Sequence, residues 1–342
     1  MSNVPKILVS SVIRSTNRGD SHGGLYIVDM EKGTSEQVLD WNYPNISWDS
    51  GGGDRGLRGL QFYEGELYAA GARALFVFNE NYELVRQYRT NMLVGTHETF
   101  LSNDLLFCIA NVYDSILVFN LKEKVWGLGA QHVLNGPVVL IDPEAPQVPE
   151  FDERGQIMVD ENDPEMAKWS MVEESDTMHL DSVSVHNDWM FYAGSTTEHI
   201  YALNLNTNQC IQQRLVHPDT HNAQPWRDGI VFNRSIESET CYQKEGKLVK
   251  TWKTPAHPNQ ITNFSHFDHA RVGYTRGMVL TKDYVIVGTS PASVHMFSTD
   301  SESPVQSVHI SDDVRNSVCC MCPLTEPEPE EGFVNWVLPQ EE

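Results

Sequence analysis

The chain has 342 residues and carries 47 acidic against 24 basic side chains, a formal net charge of −23 at pH 7. Such a surface repels a nucleic-acid backbone or an anionic bilayer, and nowhere does it offer the ~18 consecutive apolar residues of a membrane helix. A small-molecule substrate is the partner class left in view, and one propeller or barrel domain spanning residues 1–342 accounts for the length.

In chain order, Ile7-Leu-Val-Ser-Ser-Val-Ile13 reads as a strand. Ser10 and Ser11 break the apolar run and no cleavage site follows, which argues against a signal segment. With residues 25–29 and 36–39 it matches the second, third and fourth strands of a four-stranded blade whose innermost strand is missing. Ser47-Trp-Asp-Ser-Gly-Gly-Gly-Asp54 is glycine-rich but lacks a following Gly-Lys-Ser/Thr. It therefore predicts a loop crossing the face of the fold rather than a phosphate cradle.

A full blade follows at Arg58-Gly-Leu-Gln-Phe62, Leu67-Tyr68, Leu75-Phe-Val-Phe-Asn79 and Leu84-Val-Arg-Gln-Tyr88. The pattern returns from His97 to Asn120, from Asp181 to Arg214 and from Arg276 to Val308, with a weaker copy from Asn222. Each copy is a set of short strands rich in β-branched and aromatic residues, divided by Gly, Asn and Asp turns, at a spacing of about forty residues. Between the third and fourth blades, residues 136–169 break the pattern with prolines and acids. This stretch is expected to be an insertion, either a lid or a solvated loop.

After the last repeat, Arg315-Asn-Ser-Val-Cys-Cys-Met-Cys322 resembles an inner strand without a blade. Pairing it into the first blade closes the ring and removes two open edges. The expected fold is therefore an all-β, six-bladed β-propeller closed by a C-terminal strand. A seven-bladed ring is the alternative if Phe333-Val-Asn-Trp-Val337 is the remnant of a further blade. The scattered cysteines make no secreted disulfide framework and point to a cytoplasmic protein. Cys319, Cys320 and Cys322 are read as buried strand residues rather than ligands of a soft metal.

Inner strands of a propeller converge on one axis, so their starting ends are the place to look for a site. Alignment on the second strand puts Arg58, His97, Asp181, Asn222, Arg276 and either Arg315 or Asn316 at equivalent starts, with Glu98, His179, His221, Gln224, His266 and His269 beside them. Several neutral imidazoles suit a divalent ion, so His97, His179, His221 and His269 are the candidate ligands of a Zn, Fe, Mn or Ca ion. Glu98 is the candidate general base. Arg58 and Arg276 either clamp a substrate anion or pair with Asp181 or Glu98. Asp181, Asn222 and Gln224 are candidate substrate contacts, and Trp226 is either a pocket floor or a core residue.

At Arg58-Gly-Leu-Gln-Phe62, Leu67-Tyr-Ala-Ala70, His97-Glu-Thr-Phe100 and Thr220-His-Asn-Ala-Gln-Pro225 the chain resembles uncharacterised bacterial propeller proteins without kelch or WD signatures. The resemblance runs from about residue 57 to 297. More distantly the chain is similar to six-bladed metal-dependent families, the gluconolactonase-like hydrolases and the amidating lyase, which keep a metal at the channel mouth. The resemblance implies a fold and a site position but no individual ligand. The expectation is a metal-dependent hydrolase, lyase or isomerase acting on a small polar substrate, with an iron-dependent oxygenase as a variant. Its rival is a non-catalytic scaffold or small-molecule binder.

Overall fold

The computed structural model describes residues 4, 6–17, 19–47, 54–90, 92–132, 138–141, 176–217, 220–262 and 272–324. Strands β1 (Lys6–Ile13), β2 (Gly23–Asp29) and β3 (Thr34–Asp40) pair antiparallel in succession. So do β4 (Gly59–Tyr63) to β7 (Leu84–Tyr88), β8 (Thr99–Ser102) to β12 (Val138–Ile141), and β13 (Leu180–His186) to β16 (Cys210–Arg214). The last two sets are β17 (Thr220–Trp226) to β20 (Lys247–Lys253) and β21 (Arg276–Leu280) to β24 (Pro304–His309). Short 3-10 turns such as Asn111–Tyr113 and Ser235–Glu237 interrupt the strands, and the described residues include no α-helix. None is therefore long and apolar enough to cross a membrane.

The repeat seen in the sequence has a local cause. The third strand of most blades ends in a short polar residue that caps the turn into the fourth, an Asx-type bond that competes well outside regular structure. Asn79 Oδ1 accepts from the N–H of Asn81 (3.0 Å) and of Glu83 (2.9 Å). Asn120 Oδ1 does the same for Lys122 and Glu123, and Asn204 Oδ1 for Asn206 and Thr207. Asp29 receives Lys32, and Ser298 receives Asp300. The fifth blade instead uses Glu245 and Gly246, both at positive φ, the backbone of a tight hairpin turn.

Each pair of neighbouring blades shares its own apolar cluster. Leu8, Leu25, Trp41, Leu60, Phe76 and Phe78 fill the seam between the first two blades, and Val9, Val28, Ile286 and Val294 fill the seam between the sixth and the first. At about 1.5–3 kcal/mol for each large side chain removed from water, these seams hold the ring together. The strand β25 (Asn316–Pro323) closes it, running antiparallel to β1 from Ile7↔Pro323 to Ile13↔Asn316. Ser10 Oγ ties the two strands by accepting from Cys320 N at 3.1 Å. Six sheets result, with β25, β4, β8, β13, β17 and β21 as successive inner strands.

The six-bladed reading with C-terminal closure is thus the observed one, and the seven-bladed alternative is not. The expected insertion is in part a strand, because Val138–Ile141 adds a fifth member to the third sheet, from Gly129↔Ile141 to His132↔Val138. Residues 142–169 and 333–337 lie outside the described residues. All six cysteines are free thiols.

Candidate functional site

Four of the six inner strands lose register with their outer neighbour at one level of the ring. The residues left over are Asp181, Asn222 with Ala223, Gly277 and Cys319. A bulge adds one residue to one strand and re-aims its side chain, and Asp181, Asn222 and Cys319 all line the channel centre. Asn222 (φ 55°) and Gly277 (φ 71°) take the left-handed backbone such a bulge needs.

A hydrogen-bond chain locks this level. Asn222 Oδ1 accepts from Gly277 N and from Asn233 Nδ2, both at 3.0 Å, and Asn233 Oδ1 accepts from Thr240 Oγ1 at 2.7 Å. With its oxygen so engaged, the Asn222 amide turns its Nδ2 to Glu98 Oε1 at 3.0 Å. The other Glu98 oxygen accepts from Val183 N at 3.3 Å.

On one side of this chain, Arg58, His97, Asp181, His221, Asn222, Arg276 and Cys319 surround a cavity of about 10 Å³, room for one water-sized group. The His179 ring stands edge-on to that of His97, with centroids 5.0 Å apart. Its loop is pinned by Asp114, whose carboxylate accepts from Thr177 N (2.9 Å), Thr177 Oγ1 (2.7 Å) and Met178 N (3.1 Å). His179 Nδ1 lies 2.9 Å from Asp176 Oδ1.

The tautomer of His221 follows from its neighbours. Ser235 Oγ gives its proton to Thr275 O at 2.6 Å, so the 3.0 Å contact with His221 Nδ1 has the imidazole as donor. Nε2 then faces Tyr274 Oη at 3.2 Å and Asp181 Oδ2 at 3.2 Å. The Tyr274 hydroxyl can donate to Nε2, and the Asp181 carboxyl lies beside both.

Burial and the two guanidiniums act together on the imidazoles. His97 is held well below the ordinary histidine range, first by burial, then by the charges of Arg276 and Arg58. His221 is lowered in the same sense, by burial and then by Arg276. Arg58 is itself lowered by burial, with Arg276 adding repulsion. Arg58 Nη1 reaches Thr96 O at 3.4 Å, and the Arg276 guanidinium lies 5.4 Å from the centre of the Tyr274 ring. Among the described residues, neither arginine pairs with Asp181 or Glu98, and the buried Arg276 Nε has no hydrogen-bond partner.

Placement thus sorts the candidate residues. Arg58, His97, His179, Asp181, His221, Asn222 and Arg276 come together. Glu98 and Gln224 line a wider pocket on the opposite side of the Asn222–Glu98 bond. Trp226 is a core residue in the seam between the fifth and sixth blades, ring centroids 5.4 Å from Tyr242 and 6.3 Å from Trp252. His266 and His269 lie outside the described residues. Two residues of the site were missed. Cys319 was read as pure core, and the bulge opposite Ser10 and Ser11 that exposes it to the cavity leaves no mark in the sequence. Tyr274 precedes the strand start by two residues, a position the repeat alignment passed over.

Two guanidiniums oppose a cation at the point where His97 and His221 converge, and among the described residues no group of three or more His, Cys, Asp or Glu is arranged to hold one.

No protein-family model matches the sequence, and no curated protein matches it. Among solved structures, a protein of unknown function from Bacteroides caccae is similar with a TM-score of 0.56 at 7% identity, over 94% of this chain and 100% of that one. A chain of a nidogen/laminin complex is similar with a TM-score of 0.58 at 7% identity, over 92% and 97%. A streptogramin B lyase aligns over 72% of this chain and 69% of its own, at 8% identity with a TM-score of 0.40. At 7% identity, the first two likenesses concern the fold alone.

Proposed function

We propose that the protein acts on a small substrate bearing a carboxylate or phosphate group, whose anionic tip is received between Arg58 and Arg276, and that it works by proton transfer as a hydrolase, lyase or isomerase. The observation that carries this reading is the partner-free Nε of Arg276 beside a cavity it shares with Arg58. A buried donor left without an acceptor costs about 1–3 kcal/mol, a cost that an anionic ligand removes and that a rigid platform has no reason to bear. The cavity admits a single oxygen-sized group, which suits the tip of a substrate rather than its body.

The division of labour follows from the electrostatics. Arg58 and Arg276 bind and orient the anion. His97, kept neutral by burial and by those same charges, presents a free base at neutral pH. In this reading His221 and Asp181, 3.2 Å apart and flanked by Tyr274 and Ser235, are the pair that returns a proton to the substrate.

Thermal shift with inorganic phosphate and with malonate tests the binding half of this proposal. The melting temperature of the wild type should rise with ligand concentration by mass action. Arg276→Met should lose that rise and, relieved of repulsion with Arg58, melt higher than wild type in anion-free buffer. Equal ligand response in both proteins would overturn the reading. The contact between His97 and His179 favours a second reading, a metal enzyme using His97, His179 and His221. Stoichiometric Zn, Fe, Mn or Ca in untagged protein, lost in His97→Ala, is the result that would put it first.

A further inference from the structure

The other end of the channel is built differently. Beyond the Asn222–Glu98 bond, the same six inner strands enclose a pocket of about 580 Å³, within the range that holds small-molecule ligands. Its depth is buried and mostly apolar or sulfur-bearing: Val183, Met278, Val279, Cys320 and Met321. Its rim, with Phe62, Phe100, Leu101 and Leu324, is half-exposed. Among the described lining residues there is no lysine, arginine or histidine, and Glu98 is the only carboxylate. Gln61 and Gln224 add neutral hydrogen-bonding groups.

Glu98 is not neutralised where it sits. Its two oxygens accept one N–H each, from Asn222 and from Val183, and no guanidinium or ammonium among the described residues pairs with it. Each carboxylate oxygen can accept more than one hydrogen bond, so acceptor capacity remains at the deep end of an apolar cavity. Burial raises the Glu98 carboxyl to about 7, against the pull of its two hydrogen bonds. The neighbouring thiols supply no competing charge, since burial keeps Cys322 protonated up to about 12 and raises Cys320 well above the ordinary thiol range.

We infer that this pocket is a second binding site, distinct from the arginine end, for a small apolar amine whose ammonium group meets the Glu98 carboxylate while its hydrocarbon body fills the cavity. The ligand supplies the positive charge that the lining lacks, in a medium of low polarity where a charge-assisted bond is at its strongest. An acid of the same shape would set two carboxylates face to face, and an alcohol would leave the charge of Glu98 uncompensated.

Calorimetry on the full chain at about pH 8, with 2-naphthylmethylamine, 2-naphthylmethanol and 2-naphthoate as probes, reads the inference directly. The amine should bind at least about tenfold more tightly than the alcohol, and the acid should not bind. Amine affinity should fall about tenfold per pH unit once Glu98 takes up its proton, below about pH 7. Glu98→Gln should bind amine and alcohol alike, and Met278→Trp, which fills the cavity and leaves Glu98 in place, should bind neither. Arg58→Ala alters only the arginine end and should keep the amine affinity, so a failure there is separable from a failure of the proposed function. Equal binding of amine and alcohol by the wild type, or no amine binding at all, overturns the inference even if the Glu98 variant does not fold.

Discussion

Among the described residues, two places in this ring bring three imidazoles together, and their difference shows why proximity of histidines is a poor guide to chemistry. In the sixth blade, His309 lies 4.6 Å from His257 and 6.2 Å from His295, centroid to centroid. Every contact there is local and mild. His295 sits between Thr289 Oγ1 (3.2 Å) and Ser307 Oγ (2.9 Å), His309 Nδ1 meets Ser293 Oγ at 3.0 Å, and His257 Nδ1 accepts from Asn259 N at 3.2 Å. Among the described residues, the charge that meets this cluster is that of Asp312, 3.6 Å from His257 Nε2. At the channel mouth the rings are no closer, yet they face two arginines, a buried aspartate and a cavity. The blade cluster is packing that happens to titrate. The channel cluster holds charges that packing alone does not call for.

The contrast can be broken at several points. The largest effect is expected from ending the chain before Asp313. Loss of β25 takes one wall from the channel and opens two sheet edges, so both clusters should go with the fold. A truncated chain that keeps a sharp thermal transition by circular dichroism would show that closure is dispensable. Next, Arg58→Ala together with Arg276→Ala should abolish turnover on any anionic substrate found. Either single variant should cost about 10²–10³-fold, while the same change at an exposed arginine such as Arg214, 74% accessible, should cost nothing measurable.

The blade cluster predicts acid sensitivity without activity. Burial, with smaller contributions from His309 and His257, lowers His295 to about 3. A histidine lowered in the folded state takes up its proton more readily when unfolded. Its contribution is therefore complete above the ordinary value near 6.5 and is lost as pH falls from there toward 3. The loss should reach ~3 kcal/mol at about pH 4, read by urea denaturation across that range. His295→Gln, which keeps both hydroxyl partners, should flatten the curve. The smallest effect is reserved for His309→Ala, an exposed ring, which should shift stability by less than about 0.5 kcal/mol. A larger shift would mean that the blade cluster is more than packing.

How much of this the sequence discloses depends on whether a feature is local. The blades were legible because Asn79, Asn120 and Asn204 close the same turn by the same bond, and bonds between near neighbours leave a repeating mark. The strand Val138–Ile141 was missed although its Val-Val-Leu-Ile run has a strand's composition, because the prolines and acids that follow it led the whole stretch to be read as one insertion. At the site, Arg58, His97, Asp181, Asn222 and Arg276 were found by their common place in the repeat. That alignment could not say which way a side chain turns. Glu98 follows His97 directly and so points to the opposite side of the Asn222 bond, where it lines the wide pocket. Trp226 lies four residues beyond Asn222, far enough along β17 to leave the axis for the seam. Cys319 enters the cavity only through a slip in register, which belongs to a pair of strands and not to either alone.

The closing strand also has a consequence for how the protein is made. Ser10 and Cys320, bonded to each other in the finished ring, stand 310 residues apart in the chain. At a synthesis rate of about 5–20 residues per second, ~15–60 s separate the emergence of β1 from that of its partner. During that interval the first sheet carries a bare edge while the following blades stack one after another beside it. Completion of the first blade therefore waits until the other five have been made. Until it happens the nascent chain is open to the edge-to-edge association that the closed ring forbids.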